Sequence, residues 1–85
     1  MEHKHTQRID AFNNDTRNEV KEILEAVFKA LKEKGYNPFT QMVGYILSGD
    51  PTYITSHANA RAIIGKLERD ELLEAILKEF LRDVM

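Results

Sequence analysis

Few residues of this 85-residue chain have the types and spacing that catalysis or metal binding requires. The chain has no cysteine, so it offers no thiolate nucleophile and no disulfide. His3 and His5 are the only clustered histidines, and two ligands in a polar terminal segment do not fix a metal ion. The carboxylates are spread along amphipathic segments, without a nucleophile beside an oriented base. We therefore predict no enzymatic activity, no metal site and no cofactor.

Three motif-like segments have simpler explanations. Residues 48–51 (SGDP) lack the spacing of a phosphate-binding loop and are explained as a helix end followed by a helix start. Residues 68–71 (ERDE) form the densest charged run, which fits a helix junction; the alternative is a charged recognition patch. Residues 35–38 (GYNP) are also explained as a helix end followed by a helix start, although Tyr36 and Tyr53 beside the two turns could anchor an interface.

The charge pattern argues against a nucleic-acid partner. Twelve basic and fourteen acidic residues give a net charge of −2, and the two signs are interleaved along the chain. A nucleic-acid-binding protein needs a strongly basic face to neutralise phosphates. The alternative function is a regulator resembling a helix-turn-helix protein, whose helix after Ser56 would offer only Asn59, Arg61 and Lys66 as contacts.

Two helices are predicted in the first half of the folded region. Thr16 and Glu19 have the spacing of a capping box, and an apolar residue recurs every three or four positions as far as Gly35, which ends the helix. Residues 37–38 (NP) combine an N-cap with a first-turn proline and predict a second helix that ends near Ser48. Apolar residues cover most of its circumference, so we expect this second helix at the centre of the core.

The second half of the folded region shows the same pattern of helix ends followed by helix starts. Residues 49–51 (GDP) predict a helix end and a new start, with one short helical turn over residues 52–54. Ser56 is the predicted cap of a third helix over residues 57–67. Asp70, at the N-cap or in the first turn, leads into a fourth helix with a strong apolar stripe. No strand pattern and no internal repeat is seen.

These elements predict an all-α fold, a compact bundle of four helices plus one short helical turn. We expect one helical domain over residues 15–85, preceded by a flexible tail of residues 1–14. A chain this short buries only about 60–65% of the surface of its unfolded form, so a second copy is a natural source of stability and we expect a homodimer. No apolar run is long enough to cross a bilayer and no signal sequence is seen, so we expect a cytoplasmic protein without membrane insertion.

The longest distinctive motif is Val-Gly-Tyr-Ile-Leu-Ser-Gly-Asp-Pro at residues 43–51. Together with residues 31–38, Tyr53-Ile54, Ala60-Arg61 and residues 68–71, it resembles the IreB family of Gram-positive bacteria, over roughly residues 16–81. The resemblance implies a cytoplasmic helical homodimer that acts as a regulator and has no enzymatic activity.

The resemblance also implies partners. Members of the family are substrates of a transmembrane Ser/Thr kinase that senses the cell wall, opposed by its phosphatase, and they regulate intrinsic cephalosporin resistance negatively. Their phosphorylated threonine lies in the amino-terminal tail and is followed by two residues and an apolar residue, a pattern that Thr6-Gln7-Arg8-Ile9 matches. Thr6 is therefore the predicted phosphorylation site, and the downstream protein partner is not identified by the sequence.

The predicted interaction surface combines the residues beside the turns with those of the motifs. Its members are Tyr36, Tyr45, Asp50, Tyr53, Arg61 and Arg69. Aromatic side chains supply much of the binding energy of protein interfaces, which favours the two tyrosines beside the turns, Tyr36 and Tyr53.

Overall fold

The computed structural model describes residues 14–84, with side chains from Arg17 onward. Within this range it contains four α-helices, two 3₁₀ turns and no strand, which confirms the all-α prediction. The α-helices are α1 (Asn14–Glu33), α2 (Pro38–Ser48), α3 (Ala60–Ile64) and α4 (Arg69–Phe80); the 3₁₀ turns are Pro51–Tyr53 and His57–Asn59. Thr6 and the rest of the predicted tail through residue 13 lie outside the described residues.

The core is built on α1. Its inward stripe is almost inaccessible to water, and α2, α3 and α4 each pack against it. The stripe consists of Val20, Ile23, Val27, Ala30 and Leu31. One or two positions in each later part of the chain complete the core: Tyr45, Ile54, Ala60, Ile64, Leu72 and Ala75. Apolar side chains at helical spacing on a 20-residue helix therefore supply one continuous surface that the shorter elements cover.

The prediction that α2 occupies the centre of the core is wrong. Tyr45 is its only buried residue, whereas Phe39 is 68% exposed and Leu47 is 79% exposed. The physical reason is that packing against α1 and the following 3₁₀ turn buries only Tyr45 of α2 and leaves Phe39, Val43 and Leu47 exposed. Its second apolar side faces outward.

The predicted start of α1 is also wrong. Thr16 was expected to be the N-cap, but the helix already includes Asn14, so Thr16 lies within helical backbone. Asn14, Asp15 and Thr16 all lie within the described helix, so the cap-forming residue types at these three positions do not mark its start. The predicted end is confirmed, since Gly35 adopts a φ of +85° that an L-residue with a side chain rarely adopts.

Both ends of α2 follow the prediction. The Asn37 side-chain oxygen accepts hydrogen bonds from the backbone N–H groups of Phe39 and Thr40, at 3.1 and 3.2 Å. At the other end Gly49 has a φ of +76°, and its N–H donates to the Tyr45 carbonyl oxygen at 2.7 Å. These bonds satisfy backbone groups that have no partner inside the helix.

The predicted third helix over residues 57–67 is interrupted. It begins as the 3₁₀ turn His57–Asn59, in which Ala58 and Asn59 have positive φ angles of 54° and 63°. The α-helical part is only Ala60–Ile64, and Ser56 makes no side-chain capping bond. The left-handed conformation costs an alanine about 1–2 kcal/mol, so this turn is held by its surroundings. One such contact joins His57 Nε2 to Glu33 Oε1 of α1 at 2.7 Å.

The last helix begins two residues earlier than the first of the two predicted alternatives, in which Asp70 is the N-cap. Glu68 is the N-cap, and its backbone N–H donates to Glu71 Oε1 at 3.0 Å in a capping box. Asp70 lies in the first turn, which was the other predicted alternative. Glutamate is an unusual N-cap, and the preference for Ser, Thr, Asp and Asn misplaced the boundary.

Gly44 lets the first 3₁₀ turn pack closely against α2. A Cβ atom at this position would lie 2.6 Å from Cδ1 and 2.9 Å from Cζ of the Tyr53 ring. The Gln41 side-chain amide also donates to the Tyr53 carbonyl oxygen at 3.0 Å. Tyr53 is thus held flat over the helix where a side chain is absent.

We predict that Gly44→Ala destabilises the fold. Overpacking costs about 1–3 kcal/mol, which exceeds the roughly 1 kcal/mol by which alanine is favoured over glycine in a helix. Urea unfolding followed by circular dichroism measures the difference. The matched control is Gly65→Ala, where the nearest atom to a new Cβ is 3.4 Å away and φ is −70°, so we expect little change or a gain. A Gly44→Ala variant as stable as the Gly65→Ala variant would contradict the packing argument.

Candidate protein-interaction surfaces

Four of the six predicted interaction residues lie around the connection between α2 and α3. We call Asp50, Tyr53, Arg61 and Arg69 the connector cluster. Arg69 Nη1–H donates to the Ile46 carbonyl oxygen at 2.9 Å, and Arg61 Nε–H donates to the Ile54 carbonyl oxygen at 2.8 Å. The two arginines therefore anchor the backbone on both sides of the first 3₁₀ turn.

The Arg69 guanidinium also lies directly over Gly49. A Cβ atom on Gly49 would be 2.8 Å from the guanidinium carbon of Arg69, so the glycine provides space as well as a left-handed backbone. A cation beside the last turn of α2 interacts favourably with its free carbonyl groups. The Gly49 position thus links the end of α2 to the first turn of α4.

Asp50 is an ionised cap in this cluster. Its Oδ1 accepts from the Thr52 backbone N–H at 3.0 Å and from the Thr52 hydroxyl at 2.7 Å. The backbone hydrogen bond from Thr52, then the hydroxyl bond, and finally the nearby Arg61 charge hold the pKa of Asp50 below its ordinary value of 3.8. The carboxylate is fixed in position and remains exposed.

The other two predicted residues are placed elsewhere. Tyr36 is half exposed beside the start of α2, a helix length of about 16 Å from Asp50. Tyr45 is 8% exposed and belongs to the core, which leaves little of its side chain for a partner. The six residues therefore do not form one patch. Among residues 14–84 no three His, Cys, Asp or Glu side chains are grouped as metal ligands.

An apolar groove, which the sequence did not predict, lies between α1, α2 and α4. Its volume is about 910 Å³. Most of its wall is apolar, and Phe28 of α1 and Phe39 of α2 meet edge to face with ring centroids 5.3 Å apart. The apolar lining residues are Val20, Leu24, Phe28, Phe39, Met42, Val43, Ile46, Ala75, Ile76 and Phe80. The sequence feature that could have predicted the groove is the apolar outward side of α2. A helix that is apolar around its whole circumference is normally buried, so an exposed apolar side needs another explanation.

The charged rim of this groove is mixed but has an excess of cations. The rim carries three cations and two carboxylates, namely Arg17, Lys21 and Arg82 and the acidic Glu25 and Glu79. The Glu79 carboxylate lies 3.5 Å from the Arg17 guanidinium and 3.2 Å from that of Arg82. The pair with Arg17 is an ion pair between α1 and α4 at this end of the groove. Exposed pairs of this kind contribute little stability, and their main effect is to shape the rim.

A second apolar surface lies on α4 beside the groove. Leu73, Leu77 and Leu81 are spaced four residues apart and are each more than 40% exposed, and none of them lines the groove. We call these three residues the α4 outer face. Leu72 and Ala75 are the only buried residues of this helix. Residues one turn apart on a helix share a face, so the leucines form a short continuous stripe.

Comparison with known proteins identifies the family. The family model described as "IreB regulatory phosphoprotein" matches residues 4–82. The chain belongs to the IreB family. A UPF0297 protein of Ruminiclostridium cellulolyticum is 66% identical over 71 residues, which are 84% of this chain and 81% of that protein. A UPF0297 protein of Acetivibrio thermocellus is 67% identical over 66 residues, 78% of this chain and 73% of that protein.

Membership of the IreB family makes this chain a relative of regulatory phosphoproteins, and the family description names no enzymatic activity. The geometry of the described residues offers no support for the nucleic-acid alternative either. Helix α3 has only five residues, and its Arg61 is bonded to the Ile54 carbonyl oxygen. None of the described helices is long and apolar enough to span a membrane.

The lowered pKa of Asp50 predicts a pH-dependent contribution to stability. A depressed folded-state pKa stabilises the fold above the unfolded value of about 3.8, and this contribution is lost as the pH falls through the lower folded value. We expect Asp50→Ala to lower the melting temperature at neutral pH and the gap to narrow below pH 3.8. Thermal unfolding across the acid range tests this.

Asp50→Asn is the matched control, because it keeps an acceptor for the Thr52 N–H but does not titrate. Its melting temperature should lie between those of the wild type and the alanine variant at neutral pH. A gap between the wild type and Asp50→Ala that stays constant down to the lowest pH would show that the charge of Asp50 is not what stabilises the turn.

Proposed function

We propose that this chain is a cytoplasmic regulatory protein that acts through protein–protein contacts and is switched by phosphorylation of Thr6. The kinase is a transmembrane Ser/Thr kinase that senses the cell wall, and a phosphatase reverses the modification. The output is negative regulation of cephalosporin resistance. The observation that carries the proposal is the match to a regulatory phosphoprotein family over residues 4–82, a range that includes Thr6.

The character of the surface supports a binding function. Among the described residues, the side chains of Asp50, Arg61 and Arg69 bond to Thr52 or to backbone carbonyl groups and so hold the connection between α2 and α3. Large apolar side chains on α2 and α4 are exposed as well. Contiguous exposed apolar surface in a soluble chain is typical of sites that bind other proteins.

Thr6 is well placed for a charge switch. It precedes the first described helical residue by eight positions, so an acceptor hydroxyl there can enter a kinase without unfolding α1. A phosphate adds about −1.5 to −2 charges and three acceptor oxygens. That change is large beside the chain's net charge of −2.

The first experiment is phosphorylation by the catalytic domain of the matched kinase. We expect one phosphate on the wild type and none on Thr6→Ala, measured by intact mass spectrometry. Thr6→Ser keeps the acceptor hydroxyl and should still be labelled. Equal labelling of the wild type and Thr6→Ala would remove Thr6 as the switch.

We also propose that the protein is a homodimer formed through the α4 outer face. Two copies of α4 would pack about a twofold axis, with Leu73, Leu77 and Leu81 of each copy facing those of the other. Each leucine is already about half buried, so complete burial contributes about 1 kcal/mol per side chain. Six such side chains offset part of the entropy that association costs.

Leu77→Glu is expected to convert the dimer to a monomer, because the interface would bury two unpaired carboxylates. Light scattering at tens of micromolar protein measures the mass. The matched control is Phe39→Glu, which introduces the same charge at an exposed apolar position of the groove and should leave the dimer intact. Loss of the dimer in Phe39→Glu and its retention in Leu77→Glu would move the interface to the groove.

A further inference from the structure

The apolar groove is open beside the point where the amino-terminal segment joins the fold. Arg17 and Asn18 form part of its lining, and α1 begins at Asn14. At 1.5 Å per residue along a helix, Asn14 lies only about 5–6 Å from this edge. Residues 1–13 therefore join the fold at the edge of the groove.

The segment next to this edge contains two large apolar side chains. Ile9 and Phe12 are its only branched aliphatic or aromatic apolar residues, within the run Ile9-Asp10-Ala11-Phe12. An extended chain spans about 3.3–3.6 Å per residue, so Phe12 lies within roughly 7 Å of Asn14 and Ile9 within roughly 18 Å. Both can reach the groove without displacing any described helix.

The rim is compatible with the charges of this segment. Arg17 and Lys21 line the groove on the first turns of α1, at the end of that helix to which the segment is joined. In the sequence Asp10 lies between the two apolar residues and Arg8 precedes them, and the rim carries both cations and the carboxylates of Glu25 and Glu79. A short amphipathic segment with mixed charges fits a groove with an apolar floor and a mixed rim.

We propose that residues 9–12 of the same chain occupy the apolar groove, with Ile9 and Phe12 packed between α2 and α4. The tether favours this occupant over a free partner, since a short linker gives an effective concentration on the order of millimolar. The α4 outer face lies outside the groove and stays available to a second copy. The docking does not require Thr6 to be phosphorylated, so it can fail or succeed independently of the proposed function.

The absence of cysteine from the chain permits a direct test on the full-length protein. A nitroxide spin label on Gln7→Cys broadens methyl NMR signals near it. We expect strong broadening at Val43, Ile46 and Ile76 in the groove and none at Ile54 and Ile64, which are buried elsewhere in the core. In the Ile9→Ser/Phe12→Ser double variant the broadening of the groove signals should fall several-fold.

Two controls separate the possible occupants. Ala11→Ser changes a neighbouring tail residue without removing an apolar anchor, and it should leave the broadening unchanged. Dilution of the spin-labelled protein with excess unlabelled wild type preserves a contact within one chain and abolishes a contact between chains. Broadening that disappears on dilution would assign the groove to the tail of a second copy and overturn the proposal. Equal broadening in the double variant, or none at the groove, would overturn it as well.

Discussion

The apolar stripe of α1 is the constraint on which the rest of this structure depends. Val27 and Leu31 are completely buried, and every other helix packs against this one. The other helices have 11, 5 and 12 residues, lengths at which an isolated helix is marginal in water. These helices are therefore stabilised mainly by tertiary packing. One long helix has only one inward stripe, so the opposite sides of α2 and α4 are left facing outward.

The most distinctive sequence motif serves this architecture. Residues 43–51 end α2, start the 3₁₀ turn and place a glycine under the Tyr53 ring. Arg61 and Arg69 then bond to backbone carbonyl groups on either side of the turn. A charged donor to a carbonyl is a stronger bond than a neutral one, and it fixes the direction of the chain between α2 and α3. The motif is thus explained physically without a ligand.

Local interactions were predictable from the sequence and long-range packing was not. The Asn37 cap, the glycine ends at Gly35 and Gly49 and the Asp50 turn rest on contacts within four residues, and all of them are present. The break at Ala58 and Asn59 escaped prediction because alanine rarely adopts a left-handed conformation unless the surroundings impose it. The groove escaped prediction because its walls come from three helices whose relative placement periodicity does not determine.

The predicted interaction residues likewise lie together where local motifs determine their position and apart where packing does. Asp50, Tyr53, Arg61 and Arg69 were chosen from motifs and do lie around one connection, whereas Tyr45 is taken up by the core. Residue type alone does not distinguish a tyrosine that anchors an interface from one that fills a core. The exposed stripe of leucines on α4 likewise looked like a core stripe, because helical periodicity shows that a face is apolar without showing what covers it.

Helix α4 is the element that joins the two proposed contacts. Its Ile76 and Phe80 form a wall of the groove, while Leu73 and Leu77 form its outer face. Only Leu72 and Ala75 bury it against the rest of the fold, so its position is held by few internal contacts. A segment bound in the groove would restrict the motion of α4 and would thereby lower the entropy that a second copy must still remove on binding the outer face. Coupling between two sites is reciprocal, so dimerisation would favour groove occupancy by the same factor. The bound tail and the dimer would then reinforce each other, through one lightly anchored helix.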